Sequence, residues 1–276
     1  MEEHLNESVL CEQRDSVLLV TFNRPGALNS LTVEMEAEYR RILTAAAADE
    51  AVRAVVVTGA GRAFCAGADV SALDALVSDP DRRHFGTTFH TPLLLDKPLI
   101  AAVNGGCAGL GLVQALFCDV RFVAEEAKLV TSFAQRGVVA EHGLTFLLTH
   151  AVGEGHARDL LLSSRVIRGT EAARIGLATR AVPRQDVVQS ALDYAEELVR
   201  TCSPASLAAI KQQFRDGFLT EYQREAARDE ALLAEAFRGA DFAEGVASYR
   251  ERRSPQFRGV SQVLVPPAPF DQKAVR

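Results

Sequence analysis

The 276-residue chain contains no tryptophan and only two methionines, and its aromatics are 14 phenylalanines against four tyrosines. It also lacks any surplus of basic charge: 30 lysines and arginines stand against 36 acids, a net charge of −6. That balance leaves no basic stripe for a phosphate backbone, so nucleic acid is not an expected partner. Five cysteines (Cys11, Cys65, Cys107, Cys118, Cys202) are scattered without metal-ligand or disulfide spacing. They read as reduced thiols of a cytoplasmic protein, with no metal site. No apolar run reaches the roughly 18–20 residues that a membrane helix needs, so no membrane partner is expected. The opening Met1-Glu-Glu-His4 carries neither the charge nor the apolar run of a signal peptide. With 48% hydrophobic residues, the chain can still bury a large core.

What is present is an alternation of β-rich and helical segments. Ser8–Leu10 and Val17–Phe22 read as strands of a hairpin joined by Glu12-Gln-Arg-Asp15. Thr32 has the chemistry of a helix cap, with Glu34 and Glu36 in a first turn that runs on towards Ala48. Further strands are expected at Arg53–Thr58, Pro98–Val103 and Asp119–Ala124, and the alternation predicts a largely parallel sheet covered on both faces. Beyond residue 143 the pattern turns helical: Leu144–Ala151, Gly155–Ser163, Thr170–Gly176, Gln185–Thr201, Pro204–Gly217 and Glu221–Arg238, with little strand signal between them. The polar segment 76–92 is a candidate flap, the proline-interrupted 263–270 an irregular tail, and no internal repeat is visible.

Two glycine-rich turns follow predicted strands, at Gly59–Asp69 and at Asn104–Val113. Glycines there bring bare backbone amides close to whatever lies above the carboxyl ends of the strands. Neither turn carries the Lys-Ser/Thr of a nucleotide P-loop or the spacing of a dinucleotide fingerprint. Each alone reads better as a structural tight turn than as a ligand cradle.

Together, the blocks Asn23-Arg-Pro-Gly-Ala-Leu-Asn29, Phe64-Cys-Ala-Gly-Ala-Asp69 and Pro98-Leu-Ile-Ala-Ala-Val-Asn-Gly105, with Cys118-Asp119, resemble the crotonase (enoyl-CoA hydratase/isomerase) superfamily. The resemblance spans roughly residues 8 to 255. It implies an α/β fold: a spiral core of ββα turns followed by a helical C-terminal trimerisation region, hence a homotrimer or dimer of trimers. It implies acyl-CoA binding and catalysis in residues 1–200, with oligomerisation and pocket cover in 201–276. The substrate would be an acyl-CoA thioester, coenzyme A being part of that substrate and no separate cofactor being needed. Two backbone amides, those of Ala68 and Leu110, would form an oxyanion hole for the thioester carbonyl. Ala27 and Leu28, with Ala66, Gly67, Asp69 and Gly109, would cradle CoA and substrate, although Asp69 reads better as a residue holding its loop.

Hydratases of the superfamily use two glutamates to hold and activate water. Their positions correspond here to Val113 and Phe133, which can move no proton and would dry the pocket. An acid stands instead at Glu141. There the single-acid isomerases of the superfamily, the peroxisomal-type Δ3,Δ2-enoyl-CoA isomerases and the ring-oxepin isomerase of phenylacetate breakdown, place a catalytic Glu or Asp. One carboxylate suffices for a 1,3-proton shift. On spacing alone, Glu141 reads better as a cap on the helix expected near Gly143, and it is the resemblance that turns the reading to catalysis; Arg136 could pair with it and lower its pKa. His142 is expected to face away, Cys65 to be core, and His84 and His90 to lie in the flap. Lys211 and Arg215 could reach a CoA phosphate. The reading is an enoyl-CoA isomerase using Glu141. Its rivals are an enoyl-CoA hydratase and a non-catalytic acyl-CoA binding protein.

Overall fold

The computed structural model describes residues 8–81 and 89–259. Its strands are β1 (Val9–Arg14), β2 (Val17–Phe22), β3 (Ala54–Gly59), β4 (Ala63–Cys65), β5 (Leu99–Val103), β6 (Gly106–Ala108), β7 (Val120–Ala124), β8 (Lys128–Val130), β9 (Ile167–Arg168) and β10 (Arg180–Val182). The helices are α1 (Val33–Ala48), α2 (Val70–Ser78), α3 (Thr91–Leu94), α4 (Leu110–Leu116), α5 (Leu144–Ser163), α6 (Gly169–Arg174), α7 (Val187–Thr201), α8 (Pro204–Arg215), α9 (Phe218–Phe237) and α10 (Ala240–Glu251).

The strands form two sheets, one ordered β1-β2-β3-β5-β7-β10 and a smaller one ordered β4-β6-β8-β9. Consecutive strands alternate between them: β3, β5 and β7 lie in the large sheet, while β4, β6 and β8 lie in the small one. Each pair then leads towards a helix, so the chain climbs as ββα turns. This is the crotonase-like spiral that the resemblance implied. The repetition is structural only, because nothing in the sequence repeats with it. β3 and β5 are buried along their whole length, as parallel strands covered on both faces must be.

The spiral corrects the reading of the two glycine turns. Each is a pair of turns around a three-residue strand, β4 in the first and β6 in the second. Strands so short carry too little alternation to be legible, and they form because β4, β6 and β8 pair with one another. The stack has no room for side chains where its turns cross. A Cβ on Gly111 would lie 2.2 Å from the Cys65 carbonyl oxygen.

Other boundaries also move. β1 runs on through Glu12 to Arg14, which pairs with Val17, so the hairpin turn is only Asp15-Ser16. The two helices expected between 144 and 163 are present as the two segments of α5, which Gly153 interrupts with non-helical backbone angles (φ 77°, ψ 160°). β9, β10 and α10 went unforeseen. β10 earns its pairing from β7 rather than from its own sequence. Thr32 caps α1 as expected, accepting from the Met35 amide at 3.2 Å. Of the candidate flap, 76–78 end α2 and 91–94 form α3, while His84 lies outside the described residues, as does the 263–270 tail. No helix among the described residues is long and apolar enough to cross a membrane.

Candidate active site

A cavity of about 250 Å³ opens where the ends of β4, β6 and β8 face the C-terminal helices. Ala66, Gly67, Ala68, Gly109, Leu110, Phe133 and Glu141 all line it. Residues expected from three separate stretches of sequence thus meet on one wall. The opposite wall, with Leu233, Phe237, Phe242 and Tyr249 from α9 and α10, was not foreseen residue by residue. A helical periodicity could place these side chains on a buried face but could not say what they cover.

Gly67 brings the first two turns together. Its φ of +98° suits glycine, and a Cβ there would sit 3.0 Å from the Ala108 carbonyl oxygen and 3.6 Å from the Leu110 nitrogen. The neighbouring backbone groups are spoken for: Leu31 donates to the Gly67 oxygen, Asp69 donates to the Leu31 oxygen, and Gly109 donates to the Val130 oxygen. The amides of Ala68 and Leu110 donate to no backbone carbonyl among the described residues. Leu110 opens α4, where the helix supplies no carbonyl for its N–H. Two unpaired backbone donors therefore belong to residues on the cavity wall.

Glu141 is the one carboxylate among the described residues that lines the cavity. It does not cap α5. The N-cap is Gly143, and its amide donates to Asp229 Oδ2 at 2.9 Å, reaching across from α9. Burial pushes the Glu141 carboxyl up to about 8, and the neighbouring Asp229 pushes in the same direction. Asp229 itself is raised to about 7 by burial, which the Gly143 hydrogen bond only partly offsets. Asp229 is a residue the sequence reasoning missed, since an acid on a charged helix such as α9 looks solvated.

His142 departs from expectation too. It precedes the helix, adopts φ +52°, stacks on Phe89 with centroids 4.1 Å apart, and places Nε2 3.8 Å from Glu141 Oε2. Arg136 makes no ion pair with Glu141. Its guanidinium lies 4.0 Å above the Tyr249 ring.

Four expected site residues lie off the cavity wall. Val113 has no exposed surface and is turned into the core by α4, the helix that carries it, so it cannot touch substrate in this arrangement. Asp69 caps α2 instead, accepting from the Ser71 amide at 3.0 Å, the Arg24 guanidinium at 2.9 Å and the Ser30 hydroxyl at 2.9 Å. Burial alone would raise its carboxyl, but these bonds outweigh it and hold the group at about 2. Ala27 and Leu28 stand one layer back, the Leu28 carbonyl accepting from the Ala66 amide at 3.1 Å. Lys211 and Arg215 are occupied within the fold, by Asp119 at 2.6 Å and by Asp96 at 2.8 Å. Cys65 is buried, and burial pushes its thiol up to about 12, so it is core as expected.

The model of the enoyl-CoA hydratase/isomerase family matches residues 12–260. The chain belongs to that family. A relative in Escherichia coli, named 1,2-epoxyphenylacetyl-CoA isomerase, is 34% identical over 262 residues, covering 92% of this chain and 99% of its own. One from Mycobacterium tuberculosis, named probable enoyl-CoA hydratase echA8, is 32% identical over 252 residues, covering 91% and 98%. The crystal structure of carnitinyl-CoA hydratase from Mycobacterium avium superposes with a TM-score of 0.83 at 30% identity, covering 92% of this chain and 99% of that one. Both hydratases and an isomerase thus stand among its relatives. Family membership makes the protein an enzyme acting on acyl-CoA; which reaction it performs turns on the acids of its own cavity.

Proposed function

We propose that the protein isomerises the double bond of an enoyl-CoA, with Glu141 as its single acid/base. The observation that carries this reading is the solitary carboxylate in a cavity whose wall also holds the two unpaired amide donors. The Glu141 carboxylate would take the proton from the carbon alpha to the thioester of a 3-enoyl-CoA. The electron pair moves into a dienolate whose oxygen accepts from the Ala68 and Leu110 amides. Glu141 then returns the proton at the gamma carbon, giving the conjugated 2-enoyl-CoA. Hydration needs a second group to orient water, and Phe133, which lines the cavity and by the family resemblance stands in for one of the two hydratase glutamates, supplies none. Ala27 and Leu28 would support the CoA arm from behind Ala66, and a trimeric assembly is proposed on family grounds alone.

The test offers 3-enoyl-CoA and 2-enoyl-CoA separately and follows conjugation of the thioester and addition of water. Conjugation without hydration is expected. Brisk hydration would overturn the isomerase reading in favour of a hydratase. Binding without any turnover would leave an acyl-CoA binding protein.

Asp229 gives a second handle. Asp229→Asn keeps an acceptor for the Gly143 amide and removes the charge beside Glu141. Glu141 then ionises more readily, so the rising limb of kcat/KM against pH should shift to lower pH. Asp229→Ala removes the acceptor as well, and should lower kcat/KM at every pH.

A further inference from the structure

Arg136 is out of keeping with the other half-buried arginines of this chain. Arg24 pairs with Asp69, Arg165 with Glu171, and Arg121 donates to the carbonyls of Cys118 and Leu177. Arg136 lines the cavity and has no carboxylate or carbonyl acceptor among the described residues, only the face of Tyr249. An aromatic face attracts a cation but supplies no counter-charge and no hydrogen-bond acceptor. Burial works against the guanidinium, lowering its pKa from the ordinary value. Its place is nevertheless firmly built. A Cβ on Gly245 of α10 would lie 2.4 Å from the Arg136 carbonyl, and one on Gly137 would lie 2.3 Å from Asp241, so backbone rests on backbone on both sides. The nearest acid in sequence, Glu141, makes no ion pair with Arg136, which lies over Tyr249 instead, and burial, by raising the Glu141 carboxyl to about 8, disfavours the charge that could pair with it.

We infer that Arg136 selects the substrate: the cavity takes acyl-CoA thioesters whose acyl chain carries a second, terminal carboxylate, and Arg136 binds that carboxylate. This rests on the acyl-CoA reading of the cavity and not on the isomerase assignment. A planar guanidinium matches a carboxylate with two parallel hydrogen bonds. The ligand would then complete a pair that the protein leaves half made. An uncharged acyl chain would leave the cation buried and unpaired, which is the stronger source of discrimination.

The experiment measures equilibrium binding of adipyl-CoA, hexanoyl-CoA and free CoA to the wild-type protein and to Arg136→Met and Arg136→Lys. The two thioesters share a six-carbon chain, differ in the terminal carboxylate, and bear no double bond, so turnover is not required. The wild type is expected to bind adipyl-CoA roughly tenfold or more tightly than hexanoyl-CoA. Arg136→Met should bring the ratio to parity or reverse it, and Arg136→Lys should restore part of it. A wild-type ratio at or below parity overturns the inference, as does the absence of binding by either thioester. Equal weakening of both thioesters and of free CoA in Arg136→Met also overturns it, since the anion bound would then be a CoA phosphate. If Arg136→Met fails to fold, the wild-type ratio and Arg136→Lys still decide. Failure of conjugation in the turnover assay would remove the isomerase reading and leave this result standing.

Discussion

Glu141→Gln is expected to lower the rate of enoyl-CoA isomerisation by about 10²–10⁴-fold, the range that a positioned general acid/base contributes. The substitution keeps the shape of the side chain and removes its ability to carry a proton, so acyl-CoA binding should persist while kcat collapses. The wild-type rate should in turn rise with pH, because the base is the ionised form of a group whose pKa is raised to about 8. The same shift has a stability consequence of opposite sign. In the unfolded chain Glu141 ionises near 4.5, whereas in the folded chain it keeps its proton to about 8. Its contribution to stability is therefore fully present below the lower value and is lost as pH rises through the upper one. At pH 9 the folded protein holds an ionised carboxylate in a site that disfavours it, and glutamine does not. Glu141→Gln should thus be more stable than wild type at pH 9 by several kcal/mol, about 1.4 kcal/mol for each pH unit between 4.5 and about 8, with a melting temperature higher by on the order of 10 °C. The difference should vanish near pH 4. An inactive variant no more stable at high pH than wild type would mean that Glu141 is better solvated than its place on the cavity wall implies.

Leu110→Pro is expected to cost about 10²–10³-fold in kcat, the loss typical of removing one oxyanion donor. Proline has no N–H, and the first position of a helix is where it is best tolerated. The Leu110 amide donates to no backbone carbonyl among the described residues, so α4 forfeits no hydrogen bond. The substitution also removes a leucine side chain that is only 1% exposed, which on its own destabilises by about 2–5 kcal/mol. Leu110→Ala supplies the comparison, since it loses much the same packing and keeps the amide. Activity retained in alanine and lost in proline, with both variants folded by circular dichroism, would assign the loss to the N–H group. Equal losses in both would assign it to packing and remove Leu110 from the oxyanion hole.

The residues of the candidate site were legible in the sequence to unequal degrees, for physical reasons. Ala66–Ala68 and Gly109-Leu110 stood out because close backbone approach demands small residues, and glycines leave a visible trace. Glu141 stood out against the apolar Val113 and Phe133. Val113 shows the limit of such reasoning: position in a motif said nothing of its direction, and α4 turns it into the core. Asp229 and Tyr249 left no trace, because their roles arise only when a helix from the far end of the chain folds over the spiral. In the large sheet β1, β2, β3, β5 and β7 were legible from their β-rich runs, whereas β10 was not. β4, β6 and β8 were not, since three residues hold no period and their pairing comes from neighbours distant in sequence. The alternation between the two sheets is likewise a property of stacking, invisible in a chain without repeats.

The bond from the Gly143 amide to Asp229 joins residues 86 apart in sequence, one beside the proposed base and the other on a helix of the covering wall. That single proton is a gauge of whether the cover is seated. Its exchange with solvent requires α9 to leave, so it should slow when a thioester fills the cavity and holds both walls together. Its chemical shift should follow the titration of Asp229. One amide resonance would then report ligand occupancy and the charge state of the site, in a protein that offers no tryptophan to light either event.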